Sequence, residues 1–317
     1  EPGSGEPGQR EKEFVIVPQV RGTDKRSEGS PRVRVGYPRR ETMDVTQPLE
    51  WVRSGHGEIC AQGGHVLRWK HDGSDVLFVA RKARFEPGQP IRGGIPVIFP
   101  WFGDDPLKAG RAAHGFARRL PWRVVSQELR AASTKVVLEL VDSDATRALW
   151  PHRFALRLEA ALGAELELAL TVENRDSAPF QFEEALHSYF QVGDVRAISL
   201  RGLEGARYRD KLDGFREKRA PSDALMFTGP IDAVFDGASG ACEIEDIVHG
   251  RTLRVDKRNS RSTIVWNPWI EGSQRLAEFA DEDWAHMLCV ESGNVGADAV
   301  QLAPGATHTL SLRVSVA

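Results

Sequence analysis
The sequence predicts an all-β fold, a large antiparallel β-sandwich with a few short helices, on three observations. Apolar and polar residues alternate with period two along many short segments, turn-forming residues separate those segments, and long helical periodicity is missing. Many short strands without helices between them are the pattern of stacked antiparallel sheets.

Residues 59–69, 76–80 and 135–140 are the first candidate strands. Leu156-Arg157-Leu158-Glu159-Ala160 and Leu166-Glu167-Leu168-Ala169-Leu170-Thr171-Val172-Glu173 alternate cleanly, and Gly163-Ala164 between them reads as a hairpin turn. Residues 253–257, 263–266 and 310–316 complete the set. Residues 143–149 predict a helix of one or two turns, stopped by Pro151 because proline cannot continue a helix. Residues 281–284 predict the start of a second short helix.

Residues 1–44 differ in composition: Glu-Pro-Gly units recur, and Gly, Pro, Arg and charged residues dominate. Such a stretch buries too little apolar surface to offset the entropy of ordering it, which predicts a disordered tail. Its acidic residues argue against a basic targeting peptide. Residues 45–317 carry no composition break and predict one domain, a size that all-β architectures reach.

With 41% hydrophobic and 27% charged residues, the 317-residue chain has the composition of a globular protein. A net charge of −3 argues against nucleic acid as a partner. No apolar run reaches the ~18 residues of a membrane span, so no membrane partner is expected. Cys60, Cys242 and Cys289 are odd in number, widely spaced and without a CxxC pair. That predicts reduced thiols in a cytoplasmic setting and gives no support to a metal site. A monomer is expected.

Five segments carry candidate chemistry. Ile91-Arg92-Gly93-Gly94-Ile95-Pro96 sets a guanidinium beside two glycines that permit close backbone approach, an arrangement able to offer N–H groups and a cation to an anion. Trp101 and Phe102 just beyond offer faces to a sugar; a core-packed loop explains the same residues equally well. His114 and Arg118 bracket a second glycine-containing stretch. His187 lies in an apolar, strand-like run, sharing a face with Glu183, Ala185 and Tyr189 but not with Glu184 or Leu186. A lone histidine is more often a structural hydrogen-bonding group than a catalyst. Glu291 follows Cys289-Val290 in another apolar run, where a carboxylate is rarely buried unless paired or functional. Asp232 is a weaker signal, because an aspartate soon after a proline is usually a turn residue. Trp266-Asn267-Pro268-Trp269 could line a pocket but reads more simply as core.

Taken in order, Arg92-Gly93-Gly94-Ile95-Pro96 with Pro100-Trp101-Phe102-Gly103, His114-Gly115-Phe116-Ala117-Arg118, Ala185-Leu186-His187-Ser188-Tyr189-Phe190, Val265-Trp266-Asn267-Pro268 and Cys289-Val290-Glu291 resemble the hexose-6-phosphate mutarotase branch of the aldose 1-epimerase superfamily. The resemblance implies a galactose mutarotase-like supersandwich that interconverts sugar anomers without a cofactor, with a sugar phosphate as its small-molecule partner. By resemblance, Glu291 is the general base on the anomeric hydroxyl and His187 the general acid at the ring oxygen, facing one cavity across a gap of sugar-ring size. Arg92 and Arg118 look like phosphate ligands, Asp232 like a partner for a sugar hydroxyl, and His114 like a second histidine that steadies the polarised oxygen. Ala113, Phe235 and the segment around His308 depart from the pattern. Those departures leave a non-catalytic sugar-phosphate binding protein on the same fold as the alternative.

Overall fold
The alternation read from the sequence folds into two large antiparallel sheets in the computed structural model, which describes residues 49–317. The tail predicted over 1–44 lies outside the described residues. One sheet has nine strands in the order Leu225–Met226, Ile198–Arg201, Cys242–Asp246, Arg251–Arg258, Thr307–Val316, Leu166–Asn174, Phe154–Leu162, Thr134–Val141 and Arg123–Leu129. The other has eight. Its path runs through Arg216–Arg219, Arg207–Asp210, Ile231–Phe235, Ser262–Asn267, Met287–Asn294, Glu184–Leu186 and Val97–Ile98, with Tyr189–Gln191 also paired to Met287–Asn294.

Period two decides which side chains fill the space between the sheets. Leu156, Leu158, Leu168, Leu170 and Leu312 of the nine-stranded sheet share one apolar core with Leu186, Phe190, Val265, Leu288 and Val290 of the other. The intervening residues of the eight-stranded sheet, among them Ile264, Cys289 and Glu291, point to its opposite face. They are nevertheless buried, because the loops from Phe78 to Phe102 cover part of that face.

The hairpin at Gly163-Ala164 and the strands at 135–140, 156–160, 166–173, 253–257, 263–266 and 310–316 form as predicted. The helix Asp144–Leu149 begins in a capping box between Ser143 and Thr146 and ends ahead of Pro151. The second short helix is the 3-10 turn Asp283–His286. Two segments differ. Residues 59–69 divide into Gly57–Cys60 and His65–His71, because Gly63 and Gly64 take φ values of 80° and 56° and turn the chain. Residues 76–80 form isolated bridges instead of a strand. Phe78 donates to the Tyr189 carbonyl and accepts from Gly94, while Ala80 donates to the Arg92 carbonyl, so no one neighbour supplies a continuous ladder. The helix Trp269–Gln274 was not expected, since one short turn after Pro268 leaves no periodic signature.

Candidate active site
Two rows of residues cross the outer face of the eight-stranded sheet, the one turned away from the nine-stranded sheet. Asp232 pairs with Trp266, Trp266 with Cys289 and Cys289 with Tyr189, so these four stand side by side on adjacent strands. One step along, Val234 pairs with Ile264 and Ile264 with Glu291. Leu186 opposite Ser292 and Tyr189 opposite Cys289 keep one register, which sets His187 opposite Glu291. Direct neighbours across a ladder are close, and His187 Nε2 lies 3.3 Å from Glu291 Oε1. The two groups therefore touch, instead of facing each other across a sugar-sized gap as the sequence led us to expect. Glu184 projects to the other side of the sheet, as the alternation requires. Glu183 does not pair with His187; it accepts from the backbone N–H groups of Phe102 and Gly296.

The strand is interrupted at His187-Ser188. There the His187 N–H donates to the Pro96 carbonyl, and Tyr189 donates to the Gly94 carbonyl. The Arg92-Gly93-Gly94 loop thus clamps the histidine strand from one side. Gly93 and Gly94 have φ of 116° and 61°, and a Cβ on either would meet carbonyl oxygens of Phe78 and Val66 at 2.5 Å. Buried His65 fixes the loop through a 2.7 Å contact between its Nε2 and the Gly93 carbonyl. The Gly94 N–H is spent on Phe78, so the glycines serve close packing and that N–H is not offered to an anion. The Arg92 guanidinium is the part of this loop directed at the site: it donates to the Tyr189 hydroxyl at 3.2 Å and lies over the Phe279 ring.

Arg118 donates to the Ala113 carbonyl at 3.0 Å, while its Nε is buried without a partner. Burial, with Arg92 nearby, lowers this guanidinium to about 10. His114 has a φ of 62°, unusual for a residue with a side chain. The turn is held by its N–H donating to Gly103 and by its Nδ1 accepting from the Gly103 N–H at 3.3 Å. An accepting Nδ1 leaves the proton on Nε2. Gly115 makes this turn: its φ is 68°, and a Cβ there would fall 2.0 Å from the Phe99 carbonyl oxygen. We expect Gly115→Ala to destabilise the fold by more than ~1 kcal/mol, measured by denaturant titration; an unchanged midpoint would contradict this account of the turn.

Asp232 forms a 2.9 Å ion pair with Lys211, whose ammonium also sits over the Phe102 ring. Phe102 in turn meets His114 edge to face. Trp101 does not serve the site: its ring is buried under the Arg111 guanidinium. The structure thus brings His114, His187, Glu291, Arg92, Arg118 and Asp232 to one face. The sequence reasoning missed four neighbours. Tyr189 stacks on His187 at 4.8 Å, and Trp266 meets both rings edge to face. Tyr189 had a signal, its i+2 spacing from His187; Trp266 had one in the aromatic motif that read as core. Lys211 follows the strand Arg207–Asp210, whose register sets it opposite Asp232, which nothing in the sequence announces. Cys289 lies in the same cluster, its sulfur within 4.8 Å of ligand atoms on both His187 and Glu291.

Burial raises the Glu291 carboxyl well above the ordinary carboxylate range, with Lys211 and Arg118 opposing and Asp232 adding to the shift. Burial lowers the His187 imidazole well below its usual value, and His114, Arg118 and Arg92 push the same way. The pair therefore favours its neutral form, one proton held between two groups in contact. His187 is buried, with 8% of its side chain reaching the surface, and Arg92, Phe102, His114, Arg118, Asp232 and Trp266 around it are partly exposed.

The sequence profile described as aldose 1-epimerase matches residues 53–315. A Cenchrus ciliaris protein provisionally named glucose-6-phosphate 1-epimerase is 34% identical over 257 residues, covering 78% of this chain and 77% of its own. A protein of the same provisional name from Escherichia coli K12 is 33% identical, covering 77% of this chain and 83% of its own. Among solved structures, the provisionally identified mutarotase YeaD from Salmonella typhimurium superposes with a TM-score of 0.79 at 29% identity, over 85% of this chain and 91% of that one. With the profile spanning nearly all of the described residues, the chain belongs to the aldose 1-epimerase family and is an isomerase of the mutarotase fold.

Proposed function
We propose that the chain interconverts the α and β anomers of a hexose 6-phosphate, with glucose 6-phosphate as its substrate. The observation that carries this reading is the His187–Glu291 contact on a partly open face, with two arginines at one end of the row and Asp232 at the other. Asp232 and Tyr189 are three strand spacings apart, ~14 Å at ~4.8 Å each, room for a pyranose with a phosphate beyond it. The names of the plant and bacterial relatives support the same substrate.

In the proposed cycle, the Glu291 carboxylate takes the proton of the anomeric hydroxyl. The C1–O5 bond breaks, its electron pair goes to O5, and O5 takes a proton from the His187 imidazolium. This yields the aldehyde, a free 5-hydroxyl, neutral His187 and protonated Glu291. C1 turns about the C1–C2 bond, and closure on the other face reverses both transfers. O1 and O5 share one carbon, so two groups in contact suit them. The neutral pair favoured by burial is the one that accompanies the open chain. Between turnovers the pair relaxes to its neutral form, and the direct contact lets Glu291 pass that proton to His187 as the next ring opens. His114 Nε2–H supports the oxygen that gains charge, and Asp232 with Lys211 holds a sugar hydroxyl.

Arg92 and Arg118 are assigned to the phosphate, because a dianion suits guanidinium groups better than a neutral sugar does. Arg92→Ala is expected to lower kcat/KM for glucose 6-phosphate by about 10–100-fold, the worth of a hydrogen bond to a charged group, and to leave glucose little affected. Parallel assays of the two sugars check this; an unchanged preference removes Arg92 from the role. The reading extends to a cytoplasmic monomer in which residues 45–317 form the catalytic domain. The three buried free cysteines suit a reducing compartment, and size-exclusion chromatography tests the monomer.

A further inference from the structure
We propose that His187, Cys289 and Glu291 also form an inhibitory site for a thiol-seeking divalent cation, for which Zn²⁺ is the best match. That binding would inhibit rests on the proton-carrying roles proposed above; that the cation binds does not. Cys289 and Glu291 are two residues apart on one strand and face the same way, and His187 stands opposite Glu291 on the next strand. One ligand atom from each lies within 4.8 Å of the other two, and all three residues are buried. Tetrahedral zinc holds sulfur at ~2.3 Å and nitrogen or oxygen at ~2.0–2.2 Å, which sets its ligands roughly 3.3–3.8 Å apart. The His187–Glu291 contact already has that spacing, at 3.3 Å, and the Cys289 sulfur, within 4.8 Å of both, stands up to about 1 Å beyond it.

A second observation points to a ligand. His187 Nδ1 and Glu291 Oε2 are buried with no hydrogen-bond partner, although His187 is 6% exposed and Glu291 1%. Buried polar atoms are nearly always satisfied, and a carboxylate oxygen left free in a cluster with a thiol suits a cation. A thiolate and a carboxylate together offset a double positive charge. The bound ion therefore adds no net charge next to Arg92, Arg118 and Lys211. Sulfur and imidazole donors select Zn²⁺ over Mg²⁺ or Ca²⁺. Three protein ligands leave a fourth position for water or a sugar oxygen. The ion would occupy the lone pairs on which both proton transfers depend.

The test uses the full chain with chelator-buffered ZnCl₂, and with Co²⁺ as a spectroscopic stand-in. Anomerisation is expected to fall with Zn²⁺ and to recover with EDTA, while Mg²⁺ has no effect. Cys289→Ser is expected to keep at least about a third of the metal-free rate and to raise the half-inhibiting Zn²⁺ concentration at least ~10-fold, the loss of one of three ligands. Cys289→Ala guards against a hydroxyl poorly tolerated in that buried position and should behave alike. Co²⁺ should give a thiolate-to-metal charge-transfer band with the wild type and none with either variant. Equal inhibition of wild type and variants, or no such band, overturns the site. A band that depends on Cys289 while turnover stays unchanged leaves the metal site standing, and rejects both its inhibitory action and the catalytic roles of His187 and Glu291.

Discussion
Glu291→Gln is expected to lower kcat for glucose 6-phosphate by about 10²–10⁴-fold, the usual worth of a positioned proton carrier, with KM within about threefold. The amide keeps the size of the side chain but cannot take the anomeric proton. Glu291 is 1% exposed, and burial already favours its uncharged form, so a neutral amide costs the fold little. The loss then belongs to the chemical step. Initial rates over a range of substrate concentrations separate the two constants. Equal losses in kcat and in affinity would mean that Glu291 binds the sugar without moving its proton.

His308→Ala is expected to cost about 3 kcal/mol of stability, the low end for stripping one partner from a buried ion pair. Glu184 is fully buried between the sheets. Its Oε1 lies 3.0 Å from His308 Nε2 and accepts from Asn294 at 3.0 Å, while Oε2 has no partner. Without the imidazole, the carboxyl keeps only the amide. Glu184→Gln in the same chain should restore part of the loss, because no charge is then left to bury. The pH dependence follows from His308, whose value is raised by the contact with Glu184 against the lowering effect of burial. A raised imidazole contributes fully below its unfolded value of ~6.5, and the contribution fades as pH rises through the folded value. Burial raises the Glu184 carboxyl as well, so the pair is charged only above that raised value; from there the gap between wild type and His308→Ala, measured by denaturant titration, should narrow as pH rises through the folded value of His308. A gap that widens over that upper range would contradict the pairing.

Much of this arrangement was legible because period two is a strong signal. Strands such as Phe154–Leu162 and Leu166–Asn174 bury every second residue, so their pattern survives in the sequence. The same rule placed His187 on the face of Tyr189 and opposite to Glu184. What stayed hidden depends on register between distant strands. Nothing in the sequence says that residue 187 stands opposite residue 291, or that Lys211 meets Asp232; strand pairing sets both. The expected gap between His187 and Glu291 failed for that reason, since neighbours across a ladder must be close. Residues 76–80 misled for another reason: their apolar run answers to burial under two different partners, not to a place in one sheet.

His308 shows how a departure from a pattern is absorbed. Its imidazole is used up by Glu184 on the inner side of the sheet, away from the His187–Glu291 face, so the change leaves the proton carriers untouched. Ala113 likewise has no polar side chain to offer a ligand, yet its carbonyl holds Arg118 in place.

The most direct test is the exchange rate between the anomeric protons of α- and β-glucose 6-phosphate, followed by NMR magnetisation transfer with wild type, His187→Ala and buffer alone. The account predicts rapid exchange with the wild type and a rate near that of buffer with His187→Ala, once circular dichroism has shown both to be folded. A folded wild type that leaves the buffer rate unchanged, or a His187→Ala variant as fast as wild type, would contradict it.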